Sequence, residues 1–201
     1  MGNSQRHLIF LLILVVFTAL GSPDSKAQVS FGLFSSDTLE LNLLAVQELD
    51  FGSRVSGQGT VSINLEDEEN GLVVPLEIVG VAYLDVTVTF PPTIELVQQD
   101  TGENTPDVMT LNVRMAYSNR GIEGEDFARS AAVQVPAGMG SATFQIQSRP
   151  GGPPGPPPTP PHAGYKPPTG TAYIYIYGDL DVGQVGAGIY RGDIDIHVQY
   201  F

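Results

Sequence analysis

Apolar and polar side chains alternate along most of this chain. In Ala82–Phe90, apolar residues stand at the even positions, while Asp85, Thr87 and Thr89 stand between them. A period of two with β-branched and aromatic residues on one side predicts a half-buried β-strand. The same pattern predicts further strands at Thr60–Leu65, Thr110–Ala116, Ala142–Gln147, Ala172–Tyr177 and Asp193–Tyr200.

Turn residues separate these strands, and helical patterns are nearly missing. Pairs such as Asn70-Gly71 and Pro91-Pro92 are typical of turns. The more continuous apolar run Leu72–Val79 contains Pro75, which predicts an edge strand or a bulge because proline has no N–H group. Many short strands separated by turns predict an all-β protein, either a sandwich or a barrel.

A proline-rich segment differs in kind from the strands around it. Arg149–Gly170 contains ten prolines and five glycines, so it cannot form a helix or a central strand. We expect an exposed loop with polyproline II character that joins two strands. Its role is either a docking site or spacer, or a tolerated surface insertion, and the insertion is preferred because long surface loops cost little free energy.

The N-terminal segment has the three parts of a secretory signal. A short basic start precedes the almost wholly apolar run Leu8–Leu20. This run is shorter than the about 20 residues that span a bilayer, so a retained anchor is the weaker interpretation. Small residues at Ser25 and Ala27 predict cleavage after Ala27. Residues 1–27 are then a cleavable signal, and 28–201 form a single domain in the periplasm, at the cell surface or outside the cell.

Charge and composition exclude several classes of protein. The formal net charge is −13, and a surface this acidic repels phosphate backbones, so no nucleic acid is expected as a partner. The chain has no cysteine, which excludes thiol catalysis and cysteine metal sites. A domain of this size buries enough apolar surface to be stable without disulfides.

Acidic side chains are the first candidates for a ligand site. The run Glu66-Asp67-Glu68-Glu69 holds four adjacent carboxylates, and calcium takes about six to eight oxygen ligands. The spacing is not that of a calcium loop, so a solvated acidic turn is the preferred interpretation. Solvation also explains four aspartates that could pair across neighbouring strands: Asp179, Asp181, Asp193 and Asp195.

The histidines do not form a catalytic pattern. After the signal, His162 lies in the proline-rich segment and His197 lies on the last strand. No local motif links either residue to a nucleophile or to a pair of carboxylates. Two separated histidines are also too few for a typical metal site. We therefore expect no catalytic activity, no cofactor and no small-molecule substrate.

A row of tyrosines is the one candidate binding face. Tyr173, Tyr175 and Tyr177 share one side of a predicted strand, with Ile174 and Ile176 on the other. An exposed row of this kind can bind sugar rings or a partner surface. The preferred alternative is that the row packs beneath another part of the chain, and the proline-rich segment immediately before it is the expected cover.

Two groups of short motifs follow one another in a recognisable order. The first group is Leu49-Asp50-Phe51-Gly52, Gly59-Thr60-Val61, Val79-Gly80 and Phe90-Pro91. The second is Gly188-Ile189-Tyr190-Arg191-Gly192, followed by the alternating strand to Tyr200. Together they resemble a bacterial family catalogued as domain of unknown function 4402. The resemblance implies a secreted immunoglobulin-like β-sandwich with no established activity. We expect about seven to ten strands in it.

The last strand is similar to that of chaperone–usher fimbrial subunits. Gly188 is the fourteenth residue from the C-terminus and Tyr200 is the penultimate one. The period of two predicts that four side chains between them point into the core: Ile194, Ile196, Val198 and Tyr200. The other four should face solvent or a partner: Asp193, Asp195, His197 and Gln199.

The fimbrial likeness also implies partners. A periplasmic chaperone would pair with the last strand, and a neighbouring copy would complete the fold by strand addition from its N-terminal segment. In this chain Val29, Phe31 and Leu33 alternate near the N-terminus. They fit either such a donor segment or, slightly better, the first strand of the chain's own sandwich.

These features favour a secreted bacterial cell-surface protein with a structural or adhesive role, such as a fimbrial-type subunit. Its expected partners are other copies or surface proteins that it contacts by strand addition. A secreted sugar- or protein-binding module is the main alternative. A small outer-membrane β-barrel is a further one, because such barrels also end on an alternating strand with a C-terminal aromatic residue, here Phe201.

Overall fold

Alternating side chains form strands along most of the chain that the structure describes. The computed structural model describes residues 24–35, 39–44, 48–67, 73–99, 101, 105–121, 124–147 and 168–201. These residues form β1 (Asp24–Ser35), β2 (Glu40–Leu43), β3 (Leu49–Val55), β4 (Gly59–Ser62), β5 (Val74–Val81), β6 (Asp85–Thr89), β7 (Thr93–Gln98), β8 (Val108–Ser118), α1 (Glu125–Ser130), β9 (Val133–Gln134), β10 (Ser141–Gln145), β11 (Thr169–Val182) and β12 (Gly188–Tyr200). The all-β class predicted from the sequence is confirmed.

The strands form one hydrogen-bonded sheet that curls into two layers. The order is β10-β6-β12-β1-β3 in layer A and β7-β8-β11-β5-β2 in layer B. In layer B, β4 also pairs with β11, and β9 pairs with β8. The layers are joined where β7 pairs with β12 at Tyr190 and Arg191. Of the described strand pairs, only β1 and β12 run parallel.

A proline pair makes the corner between the layers. β6 and β7 pair with different parts of the same edge of β12. Pro91 and Pro92 between them supply no N–H group to continue a ladder. The backbone groups at this corner bond to residues outside β12. The Phe90 N–H donates to the Gly140 carbonyl, and the Pro92 carbonyl accepts from the Val113 N–H, both at 2.9 Å. The chain therefore leaves layer A and enters layer B here.

A second interruption lies between β4 and β5. Both strands pair with the same edge of β11, β4 with Asp179–Val182 and β5 with Thr169–Ile176. We call residues 63–73, which lie between these two strands in the sequence, the acidic segment; the structure describes its residues 63–67 and 73. The acidic segment is thus an insertion within what would otherwise be one long strand along β11.

The apolar faces of the two layers meet in a common core. The ring of Tyr117 in β8 stacks on that of Phe144 in β10, with centroids 4.4 Å apart and an angle of 8° between the planes. Elsewhere the hydroxyl of Tyr200 in β12 accepts a hydrogen bond from the Val81 N–H of β5 at 2.8 Å. A Cβ atom at Gly80 would lie 2.9 Å from that hydroxyl, so only glycine lets the layers approach this closely.

The strand count exceeds the expected seven to ten, since the described residues alone form a sheet of twelve strands. The two interruptions explain part of the excess, because each divides one long strand into two. The six-residue helix α1 was also not predicted; it carries acidic residues in its first turn but has no side-chain cap. Its short length and missing cap leave little helical signal in the sequence.

Pro75 marks neither an edge strand nor a bulge in the described pairs, contrary to the prediction. β5 lies between β11 and β2 and pairs with both. Pro75 is the second residue of β5, and the ladder with β2 ends one residue away, where Leu43 pairs with Leu76. Only the Pro75 carbonyl is used on that side, where it accepts from the Leu44 N–H at 3.2 Å. The missing N–H therefore falls at the end of the ladder with β2, where the reciprocal bond to Leu44 cannot form.

Most predicted strand boundaries shift by a few residues; the strand predicted at Thr60–Leu65, for example, ends at Ser62. The strand predicted from Ala82 begins at Asp85, because the chain turns at Tyr83, whose φ is 69°. Residues 149–167 of the predicted proline-rich loop lie outside the described residues, but Thr169 and Gly170 already belong to β11.

Candidate functional site

The last strand, β12, has the two faces that its alternation predicts. The inward side chains are buried: Ile194, Ile196 and Val198 are at most 2% exposed, and Tyr200 is half-buried. The four outward residues are all exposed: Asp193, Asp195, His197 and Gln199. The predicted register of this strand is confirmed. A slip by one residue would bury two carboxylates, which explains why the register is firmly specified.

The glycines of β12 are explained by the close approach of β7. A Cβ atom at Gly192 would lie 2.6 Å from Leu96 Cδ2 and 2.8 Å from the carbonyl oxygen of Glu95. One at Gly188 would lie 2.8 Å from Nε2 of Gln98. Tyr190, fully buried between these glycines, anchors the strand's entry. Gly192 is therefore a packing requirement at the junction of the two layers, because the backbone oxygen of Glu95 cannot move aside, whereas the flexible Gln98 side chain beside Gly188 can.

The Tyr190 hydroxyl has a specific partner. It donates a hydrogen bond to the Gly186 carbonyl at 2.8 Å, which ties β12 to the loop before it. Burial raises the pKa of Tyr190, and the nearby carboxylate of Asp107 raises it further. Asp107 also accepts a hydrogen bond from the Gly186 N–H at 2.6 Å. The entry to the last strand is thus fixed by hydrogen bonds as well as by packing.

The first strand, β1, is the parallel neighbour of β12. Eleven residues, from Ser25 to Ser35, pair in register with Gly188 to Val198. Val29 is fully buried, while Phe31 and Leu33 are partly buried against the core. The alternating residues near the N-terminus are therefore the first strand of the chain's own fold, the alternative that the sequence slightly favoured.

The other edge of β1 pairs with β3, which carries the Leu49-Asp50-Phe51-Gly52 motif. Leu49 and Phe51 are fully buried, and Asp50 is exposed. The Asp50 carboxylate accepts a hydrogen bond from the Gly52 N–H at 2.7 Å. Gly52 has φ of 66°, a left-handed conformation that favours glycine. The motif therefore combines two core residues with a glycine bend that the aspartate holds.

This bend is a β-bulge. Lys26 pairs with Ser53 and Gln28 pairs with Asp50, so two residues of β3 oppose the single residue Ala27. A glycine in the left-handed region at such a site is typical of one common bulge type, which increases local twist. The bulge gives a structural reason for the glycine of this motif.

The tyrosine row of β11 is not an exposed binding face. Tyr175 is fully buried, Tyr177 is 2% exposed and Tyr173 is 9% exposed. The opposite side of the strand, with Ile174 and Ile176, is fully buried as well. The covered alternative is therefore the one that the structure favours. Residues 149–167 of the proline-rich segment, which was expected to cover the row, lie outside the described residues. Two other covering elements are seen.

Helix α1 and the acidic segment cover the tyrosines. The Tyr175 hydroxyl donates a hydrogen bond to the Glu125 carbonyl at the start of α1, at 3.0 Å. From the same helix, the Arg129 guanidinium donates to the carbonyls of Leu65 and Asp67 in the acidic segment, both at 2.7 Å. Arg129 thus holds the two covering elements together, and we call this arrangement the arginine clasp.

The acidic segment is held by its backbone carbonyls at this point. The Asp67 side chain accepts from the Asn64 N–H at 2.7 Å, which closes a local turn. Within the described residues, no group of three or more acidic or histidine side chains is arranged to hold a metal ion. Glu68 and Glu69, also part of the predicted acidic turn, lie outside the described residues.

Asp179 corrects the expectation that the aspartates are simply solvated. It lies on the tyrosine side of β11, is 8% exposed, and pairs with Arg114 of β8 at 2.5 Å. One of its carboxylate oxygens is buried without a hydrogen-bond partner, as is Nε of Arg114. The nearby Tyr177 hydroxyl has a raised pKa, mainly because of burial. Asp193 and Asp195 lie exposed on β12, which is not a neighbour of β11.

Glu125 is a further polar residue that sequence reasoning missed. Its Oε1 atom is buried and has no hydrogen-bond partner. Burial raises the pKa of this carboxyl group, and the charge of Arg129 opposes that shift only in part. Nothing in the local sequence distinguishes Glu125 from other acidic residues, because its burial depends on the contact between α1 and β11.

Comparisons with known proteins add no family. No protein-family model matches this chain, and no curated protein matches it. The likenesses to the family catalogued as domain of unknown function 4402 and to fimbrial subunits therefore rest on the motifs alone and stay predictions. Among the described residues, no helix combines the length and apolar character needed to cross a bilayer.

Proposed function

We propose that this protein is exported and serves as a structural or adhesive subunit at a bacterial cell surface, joined to other copies or to surface proteins by strand addition. The observation that carries the proposal is the parallel pairing of β1 with β12 over eleven residues. The first and last described strands of the chain are thus neighbours in layer A. The immunoglobulin-like detail of the fold and membership of the resembled family belong to the same proposal.

The position of β1 makes it suited to exchange between copies. It is the first described strand, so the rest of layer A and all of layer B follow it in the chain. It pairs through its backbone on both edges, with β12 and with β3. Exchange of an identical terminal strand between copies replaces each contact by the same contact, so it costs little free energy. Backbone pairing supplies affinity, and the alternate side chains supply specificity.

The surface chemistry fits the same role. The net charge of −13 keeps an exported protein soluble. A sugar- or protein-binding module remains a weaker candidate, because the tyrosine row that would have served it is buried. We propose no catalytic activity; the hydrogen bonds of Arg129, Tyr175 and Tyr190 described above join structural elements to one another.

Localisation tests the first half of the proposal. The full chain, expressed in a bacterial host with its own N-terminus, should be found in the periplasm or at the cell surface. If the protein is at the cell surface, a membrane-impermeant amine reagent should label Lys26 or another lysine on intact cells. Retention of all the protein in the cytoplasm would contradict the proposal. A chaperone gene and an usher gene beside this one would support assembly.

Cysteine trapping tests the second half. The chain has no cysteine, so each introduced thiol is unambiguous. Ser30 and Asp193 are directly paired across β1 and β12, and their side chains contact each other. Two full-length chains, Ser30→Cys and Asp193→Cys, are co-expressed and oxidised. Strand addition between copies predicts a mixed disulfide between the two chains.

A mismatched pair is the control for this experiment. Ser30→Cys co-expressed with His197→Cys places the thiols four positions out of register and should give little mixed product. If the matched pair gives no more mixed disulfide than the mismatched pair, even at high protein concentration, strand addition between copies is contradicted. The localisation experiment would still decide separately whether the protein is exported.

A further inference from the structure

Residues on the signal side of the predicted cleavage site are paired into the sheet. Asp24–Lys26 pair with Ser53–Val55 of β3, and Ser25–Ala27 pair with Gly188–Tyr190 of β12. Together with Gln28 and Val29, these four residues form the part of β1 that bridges β3 and β12. Cleavage after Ala27 would remove all four.

The two inward side chains of this stretch are also buried. Ser25 and Ala27 are each 1% exposed. The Ser25 hydroxyl donates a hydrogen bond to the Arg54 carbonyl of β3 at 3.1 Å. Farther along β1, Phe31 and Leu33 are only partly buried. The beginning of β1 is therefore more deeply packed than its end.

The bulge in β3 is built around the residue that cleavage would make the last of the signal. Phe51 and Gly52 together oppose Ala27, and Ser53–Val55 continue the strand beyond the bulge. β3 has β1 as its strand partner in the sheet. Without Asp24–Ala27, the second half of β3 would lose that partner, and unpaired backbone groups cost stability where water cannot replace the lost bonds.

The sequence offers an earlier cleavage site. Ala19 and Gly21 are small residues separated by one position, the spacing that signal peptidase reads. The apolar run before them, Leu8–Phe17, has a length within the about 7–15 residues of a signal core. Cleavage after Gly21 would leave Ser22 as the first residue, two positions before β1 begins.

We infer that the signal is removed between Gly21 and Ser22, so that Asp24–Ala27 stay in the mature protein as the beginning of β1. This inference deepens the proposed function, since it rests on export. It assigns the processing site to the position that preserves the contacts of β1 with both β3 and β12.

Intact-mass measurement of the exported full-length chain tests this inference. Protein from the periplasm or cell surface of a bacterial host should have a mass and an N-terminal sequence that begin at Ser22. A product that begins at Gln28 would overturn the inference and leave export intact. An unprocessed chain beginning at Met1 in every fraction would overturn both the inference and the proposed export, so the two failures are distinguishable.

Two substitutions at the upstream site sharpen the test. Gly21→Leu places a large residue immediately before the inferred bond and should abolish the product that begins at Ser22. Leu20→Ala changes the neighbouring position, which the peptidase does not read, and should leave that product in place. Unchanged processing of Gly21→Leu would contradict the inference, because the peptidase would then be cutting elsewhere.

Discussion

β11 and β12 are long strands of similar alternating sequence, yet their burial differs. In β12 the outward residues are exposed, and burial follows the period of two. In β11 every residue from Ala172 to Leu180 is buried, on both faces. The difference lies in what covers the strands, because α1 and the acidic segment lie over the tyrosine face of β11. Alternation therefore shows which residues share a face, but not whether that face meets solvent.

The strongest test of the β12 half of this comparison is a charge in its buried face. Replacing Ile196 by Asp buries an unpaired carboxylate, which should cost at least about 4 kcal/mol and leave little folded or exported protein. Circular dichroism and the yield of exported protein measure this loss. The matched control is Asp195→Asn on the exposed face, which should leave both unchanged. The reverse outcome would mean that the register of β12 is wrong.

The β11 half depends on the arginine clasp. Arg129→Ala should lower the free energy of unfolding by about 2–3 kcal/mol, because two carbonyls lose a charged donor. Urea unfolding measures the change. Arg191→Ala, on the exposed face of β12, is the matched control and should have little effect. Equal effects of the two substitutions would show that α1 and the acidic segment do not form a cover that stabilises β11.

Glycine substitutions test the packing between β12 and β7. Gly192→Ala should cost about 1–3 kcal/mol, because the new Cβ would collide with the Glu95 carbonyl as well as with the movable Leu96 side chain. Gly183→Ala is the control, since a Cβ there has no heavy atom within 4 Å. Thermal unfolding compares the two. An unaffected Gly192→Ala protein would mean that β7 and β12 pack less closely than described.

The smallest expected effect concerns the pH dependence of the cover. Because burial raises the pKa of Glu125 in the folded state, its ionised form opposes folding at neutral pH, and this cost disappears as pH falls through the folded-state pKa. Glu125→Gln should therefore raise the urea midpoint at pH 7, and the gain should shrink at pH 4. Glu95→Gln, at an exposed position on β7, serves as the control. A lower midpoint for Glu125→Gln at pH 7 would contradict this account.

Local periodicity predicted the parts of the fold that depend on neighbouring residues in sequence. The strands, the inward face of β12 and the alternating start of β1 follow from a period of two. Local periodicity does not predict contacts between residues that are far apart in the sequence. The pairing of Asp179 with Arg114 depends on β11 lying beside β8, and the burial of Glu125 depends on α1 lying over β11.

The candidate site shows the same division. The glycines of the β12 motif were recognised, but their reason, the approach of β7, required the corner that Pro91 and Pro92 make. The predicted cleavage after Ala27 used only local residue size. It could not take account of the bulge of β3 opposite Ala27, which depends on strands far apart in the chain.

The central claim is that the first and last described strands of one chain, β1 and β12, lie side by side, in parallel and in the described register. The most direct test is disulfide formation in a single chain that carries both Gly32→Cys and Asp195→Cys, a directly paired position of β1 and β12. Mild oxidation of dilute protein should give an intrachain disulfide, seen as a mass loss of about two hydrogens and faster migration on a non-reducing gel. The account would be contradicted if both thiols stayed free in the folded protein after oxidation, and if a disulfide formed instead when Gly32→Cys was combined with a cysteine out of this register.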